Sequence, residues 1–168
     1  MVKPRYQSAA QAGRCLGFRS GLEDQASNQL TAQAVAFEYE KHKVMYVVPS
    51  RVASYTPDFL LTHNGIIVET KGRFEAADRE KHLLVRAQHP ELDIRFVFSR
   101  SKTPIRTGSP TTYADWCSTH GFKFADKFIP QPWIDEAPND TRFSAIERAA
   151  SPPSQQDWAL FKLTKRRS

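Results

Sequence analysis

Tyr55-Thr56-Pro57-Asp58-Phe59-Leu60-Leu61-Thr62-His63-Asn64-Gly65-Ile66-Ile67-Val68-Glu69-Thr70-Lys71 sets two β-prone runs on either side of an Asn-Gly pair. Asn-Gly between such runs is a strong hairpin signal, because a two-residue type I′ turn needs positive φ at both positions. A turn centred on Asn64-Gly65 pairs His63 with Ile66, Leu61 with Val68, Leu60 with Glu69 and Asp58 with Lys71. Opposed residues share a face, and neighbours along a strand alternate. Asp58, Leu60, Glu69 and Lys71 therefore project to one side, and Phe59, Leu61, Val68 and Thr70 to a mainly apolar other side. A slip of one residue would scatter the polar set.

Two carboxylates and an ammonium on one face suit phosphodiester hydrolysis. Magnesium prefers oxygen ligands, usually one or two carboxylates plus waters and substrate phosphate. Asp58 and Glu69 supply those carboxylates, and manganese is the expected substitute. Such an ion activates water and offsets charge on the phosphate. Lys71 adds a cation where negative charge develops. The order Pro57-Asp58, then Glu69-Thr70-Lys71, is the PD-(D/E)XK nuclease pattern. It is short, and a solvent-facing strand with Lys71 paired to an acid would also carry it. Glu23 is a candidate third acid, able to complete a two-metal site or simply to favour a helix N-terminus. Glu38 is a candidate auxiliary acid or a solvated strand residue.

The 168-residue chain is 40% hydrophobic and 25% charged, with a net charge of +6. Its length suits one domain. No apolar run is long enough for a transmembrane helix, and the first residues lack the apolar segment of a secretory signal. Cys15 and Cys117 are too few for a disulfide scaffold, so a reduced setting is expected. Lys3, Arg5, Arg14 and Arg19 near one end, and Lys162, Lys165, Arg166 and Arg167 near the other, leave a slightly acidic body between basic arms. Basic arms commonly neutralise phosphates on nucleic acid; they also simply aid solubility.

Helical spacing of Leu22, Ala26 and Leu30 predicts a helix over 19–34, started at Ser20-Gly21. Alternation predicts a strand over 35–40, and a β-prone run follows at 44–48, with 50–54 a polar connector. A helix over 75–88 between the hairpin and a strand at 94–98 predicts a parallel crossover. Ser109-Pro110 is expected to open a short helix, and 122–125 a last strand. Arg100, Lys102 and Arg106 form a basic loop suited to phosphate contact. His82 and His89 are read as structural or phosphate-facing, and Trp116, Phe122 and Phe124 as core. Residues 1–17 are expected to form a flexible basic arm, 18–138 the nuclease domain, and 139–168 a flexible basic tail.

Several segments resemble the phage endonuclease I family, Holliday-junction resolvases of short-tailed phages. They are Phe18-Arg19-Ser20-Gly21-Leu22-Glu23-Asp24, Phe37-Glu38-Tyr39-Glu40, the stretch from Tyr55 to Leu61, Val68-Glu69-Thr70-Lys71-Gly72, Lys81-His82-Leu83-Leu84, 88–95 and 121–127. The resemblance spans Phe18 to Trp133. It implies an α/β, restriction-endonuclease-like mixed sheet flanked by helices, in a domain-swapped homodimer that nicks four-way and other branched DNA in pairs. It also implies composite sites, with Glu23 from one chain meeting Asp58, Glu69 and Lys71 of the other, and the Thr70 carbonyl on the metal. Arg14, Arg19, Arg100, Lys102 and Arg106 are the expected DNA contacts, and the cytoplasm of an infected bacterial host the expected location. The hairpin tip carries one residue more than the family pattern, and 50–54 would bridge the swapped halves. A sequence-specific restriction-type enzyme and a non-catalytic junction-binding protein are the rival readings.

Overall fold

Residues 21–48 and 51–151 are described by the structure, a computed structural model. Five strands form one mixed sheet: β1 (Phe37–Tyr39), β4 (Phe59–Leu61), β5 (Ile66–Lys71), β6 (Ile94–Phe98) and β7 (Lys123–Asp126), in that spatial order. β1, β4 and β5 pair antiparallel, while β5, β6 and β7 run parallel. The parallel pairs need crossovers, supplied by α2 (Ala76–Gln88) and α3 (Tyr113–Thr119). The predicted crossover between the hairpin and 94–98 is therefore present. β2 (Val44–Val48) and β3 (Arg51–Tyr55) form a separate two-stranded hairpin. The expected polar connector at 50–54 is thus largely a strand. Its alternation places Tyr55 inward and leaves Val52 exposed.

The sheet has a core on each face. Leu60, Ile67, Phe96 and Phe98 pack under α2 and α3 with Phe74, Val85, Trp116 and Phe122. Phe59, Leu61, Val68 and Val97 pack against Ala26 and Leu30 of α1 (Gly21–Ala32) and Ile134 of α4 (Gln131–Ile134). Trp116 and Phe122 are core, as their spacing suggested, and Phe124 packs half-buried against them. The first helix is described from Gly21, so the cap expected at Ser20 lies outside the described residues. α3 begins later than Ser109-Pro110 implied, because Thr112 and Asp115 form a reciprocal capping box that satisfies the free backbone donors there.

The C-terminal part departs most from expectation. Asp140–Ala149 forms α5, burying Ala145, Ile146 and Ala149, where a flexible tail was expected. A polar network ties this segment to the sheet. Arg95, fully buried on β6, pairs with Asp93 at 2.6 Å and Glu136 at 2.7 Å, and lies over the Trp133 ring. Arg142 of α5 also reaches Asp93 and Glu136, and donates to the Asn64 carbonyl. Asn64 is buried, and its amide donates to the carbonyls of Trp133 and Glu136.

Candidate active site

The hairpin register differs from the two-residue turn by two positions. Phe59 pairs with Val68, Leu60 with Ile67 and Leu61 with Ile66, leaving four residues, Thr62 to Gly65, in the turn. The Leu61 carbonyl accepts from the Gly65 amide at 2.9 Å. Gly65 has φ +74°, and a Cβ there would lie 2.9 Å from Cβ of Arg142, so glycine is required twice over. An even shift keeps every face assignment within the paired strands. Glu69 and Lys71 still share a side, while Asp58 lies just outside β4, next in register to Glu69 rather than Lys71, and turns its carboxylate to the Thr70 amide and hydroxyl.

Asp58 and Glu69 are 4% and 1% exposed. Asp58 sits just before β4, where its Oδ2 accepts from the Thr70 amide at 2.8 Å and the Thr70 hydroxyl at 2.9 Å. No donor among the described residues reaches its Oδ1. Burial, and then the negative charge of Glu69, push the Asp58 carboxyl up to about 7, despite Lys71 and Thr70. Glu69 Oε1 meets Lys71 Nζ at 2.9 Å, and Oε2 accepts from the Tyr55 hydroxyl at 2.7 Å. Burial opposes its ionisation, but the ammonium groups of Lys71 and Lys81 outweigh this and hold it below the usual carboxylate range. Lys71 loses solvation by burial, yet Glu69 and Asp58 raise its pKa, so it stays a cation.

The helix after the hairpin adds residues whose part here was not foreseen. Asp78, Lys81 and His82 occupy one face of α2. Asp78 Oδ1 lies 3.6 Å from Lys71 Nζ and 3.8 Å from Lys81 Nζ, and Lys81 lies 3.8 Å from Glu69. Spacing of three and four residues was the available signal. His82 is fully buried, with Nε2 3.6 Å from Glu69 Oε1 and neither nitrogen hydrogen-bonded. Burial lowers its pKa, favouring neutral imidazole. His89 instead caps α2 and bonds the Met45 carbonyl.

The other predicted residues separate clearly. Glu23 is buried in α1, where its Oε2 accepts from the Tyr39 hydroxyl at 2.7 Å. Glu38, opposite Leu60, is taken up by Lys41 and His42, which lower its pKa. Among the described residues no group of three or more His, Cys, Asp or Glu is arranged to hold a metal ion. Glu23 is therefore not gathered with Asp58 and Glu69 within one chain. Arg100, Lys102 and Arg106 are exposed in the loop after β6. That loop leaves the sheet at the Lys71 end, since Lys71 pairs with Phe98 and the Ser99 amide bonds the Lys71 carbonyl. Arg14 and Arg19 lie outside the described residues. No helix among the described residues is long and apolar enough to cross a membrane.

The five-stranded mixed sheet thus carries two buried acids and a lysine at the end of its central hairpin. Residues 4–151 match the family described as Phage endonuclease I. Endonuclease I of Escherichia phage T7 is 57% identical over 131 residues, covering 78% of this chain and 87% of that protein. Endodeoxyribonuclease 1 of Enterobacteria phage T3 is 50% identical over 143 residues, covering 83% and 93%. The chain belongs to the phage endonuclease I family. Its match begins before and ends after the span over which the motifs suggested the resemblance.

Proposed function

We propose that this protein is a phage endonuclease acting on DNA, and more narrowly a magnesium-dependent, structure-selective enzyme that resolves four-way junctions by paired nicks. The names of the relatives, an endonuclease and an endodeoxyribonuclease, support the broader reading. The observation that carries the narrower chemistry is the buried Asp58–Glu69 pair with Lys71 Nζ 2.9 Å from Glu69. Two adjacent buried carboxylates, one pushed up to about 7 by burial and its neighbour, form a site that a hard divalent cation would stabilise.

Asp58 and Glu69 would hold the metal, with the Thr70 carbonyl beside them and Glu23 contributed by a partner chain of a swapped homodimer. Bound magnesium, or manganese in its place, would supply an activated water and charge neutralisation at the phosphate. Thr70 fixes the carboxylate of Asp58. Lys71 presents a fixed cation to the phosphate as charge builds. Hydrolysis leaves a 5′-phosphate and a 3′-hydroxyl. The exposed loop carrying Arg100, Lys102 and Arg106 contacts backbone phosphates, which position DNA without reading sequence. Arg14 and Arg19 do the same from the N-terminal arm, and Glu38 is auxiliary.

The test compares cleavage of a four-way junction and a linear duplex, with and without magnesium, for the wild type and Glu69→Ala. Junction cleavage that needs both magnesium and Glu69 is expected. Cutting of linear duplex at one sequence would favour a restriction-type enzyme, and undiminished cutting by Glu69→Ala would refute the site.

A further inference from the structure

We propose that Tyr55 is a positioning residue that fixes the Glu69 carboxylate and couples the β2–β3 hairpin to the candidate active site; this rests on the nuclease reading above. The two oxygens of Glu69 are held by different parts of the fold. Oε1 meets Lys71 of β5, and Oε2 accepts a 2.7 Å hydrogen bond from Tyr55, the last residue of β3. A buried glutamate bonded at only one oxygen could turn about its terminal torsion, whose preference is broad. The second bond removes that freedom.

The phenol is itself immobilised. Its ring is buried, with Lys81 Nζ 4.7 Å from the centroid on one side and the His82 ring in edge contact at 5.1 Å. Tyr55 pairs with Val44 across the hairpin, and His89 pins the adjoining Met45 carbonyl to the end of α2. Burial, and then Glu69, raise the phenol pKa, so the hydroxyl remains a donor. Outside the five-stranded sheet, this hairpin thus reaches a reacting-group ligand through one hydroxyl. Partners that orient metal-ligating carboxylates tune both affinity and rate.

Tyr55→Phe removes the hydroxyl and keeps the ring on which Lys81 and His82 pack. Metal-free protein is titrated with manganese by calorimetry, and junction cleavage is followed against magnesium concentration. Loss of such a partner is expected to weaken manganese binding about tenfold or more. Half-saturating magnesium should rise in parallel, with the rate at saturation largely restored and metal-free junction affinity unchanged, while the melting temperature falls modestly because one buried carboxylate oxygen loses its donor. Tyr55→Leu, which loses the ring as well as the hydroxyl, should lower the melting temperature further, and that further loss marks the contribution of packing. Wild-type manganese affinity and magnesium dependence in Tyr55→Phe, with both abolished in Glu69→Ala, would overturn the inference and leave the nuclease reading intact. Both measurements intact in Glu69→Ala would overturn the two together.

Discussion

Replacing Asp58 by Asn should make the metal-free protein more stable, by an amount that grows with pH. Asp58 is buried beside ionised Glu69, and its carboxyl lies at about 7 against an ordinary 3.8. Between those values the folded protein keeps a proton that the unfolded chain has lost. Stability from this group is full below the unfolded pKa and is lost as pH rises through the folded one, at about 1.4 kcal/mol per pH unit. Asp58→Asn removes this titration while keeping an oxygen for the two Thr70 donors and gaining an amide towards Glu69. The variant should therefore gain about 2–3 kcal/mol on the wild type between pH 5 and pH 7, or roughly 5–10 °C in melting temperature for a chain this size. The gap should be flat above pH 8. Glu69, held below the usual range, does not titrate in this window. His82, kept neutral by burial, lowers stability as pH falls through the unfolded histidine value, but it does so in both proteins and drops out of the difference. Thermal melts in chelator at pH 5, 6, 7 and 8, at one protein concentration, give the answer. Parallel curves, or a variant less stable at pH 8, would show that Asp58 is not strained by its neighbour. Magnesium should narrow the gap by stabilising the wild type through binding.

Mixing Glu23→Ala with Lys71→Ala chains under conditions that permit exchange should restore one intact site per heterodimer, seen as nicking absent from either variant alone; no recovery would argue against sites shared between chains. Arg95→Ala leaves Asp93 and Glu136 to Arg142 alone and opens a buried void, so it should cost about 2–5 kcal/mol and melt the protein below the wild type. A loss under 1 kcal/mol in chemical denaturation would mean that the network contributes little.

The face pattern of the hairpin was legible because it depends on alternation alone. The turn was not, because Asn64 is recruited by carbonyls of Trp133 and Glu136, some seventy residues away. That capture favours a four-residue turn over the two-residue turn that local chemistry prefers. β3 was read as a connector for its polar residues, although Tyr55 faces inward and Val52 outward at strand spacing. α5 was missed because its apolar residues, Ala145, Ile146 and Ala149, are few and small, yet they recur on one helical face. The acids and Lys71 were visible as a motif. Tyr55 and His82 were not assigned to it, since only folding brings β3 and α2 against Glu69. Crossovers and aromatic core residues followed from long, regular patterns and were legible.

The two-step difference between the simple turn and the observed one carries a lesson about insertion. The acids are addressed by odd and even rather than by count, so the tip can lengthen or shorten by an even number of paired positions without inverting the chemistry. Extra residues can also be absorbed in the bend itself. What cannot drift is the clasp, Asn64 and Gly65 against the C-terminal helix, which fixes where the bend must fall. Changes in loop length are thus tolerated on one side of the clasp, and the reacting groups on the other side never register them.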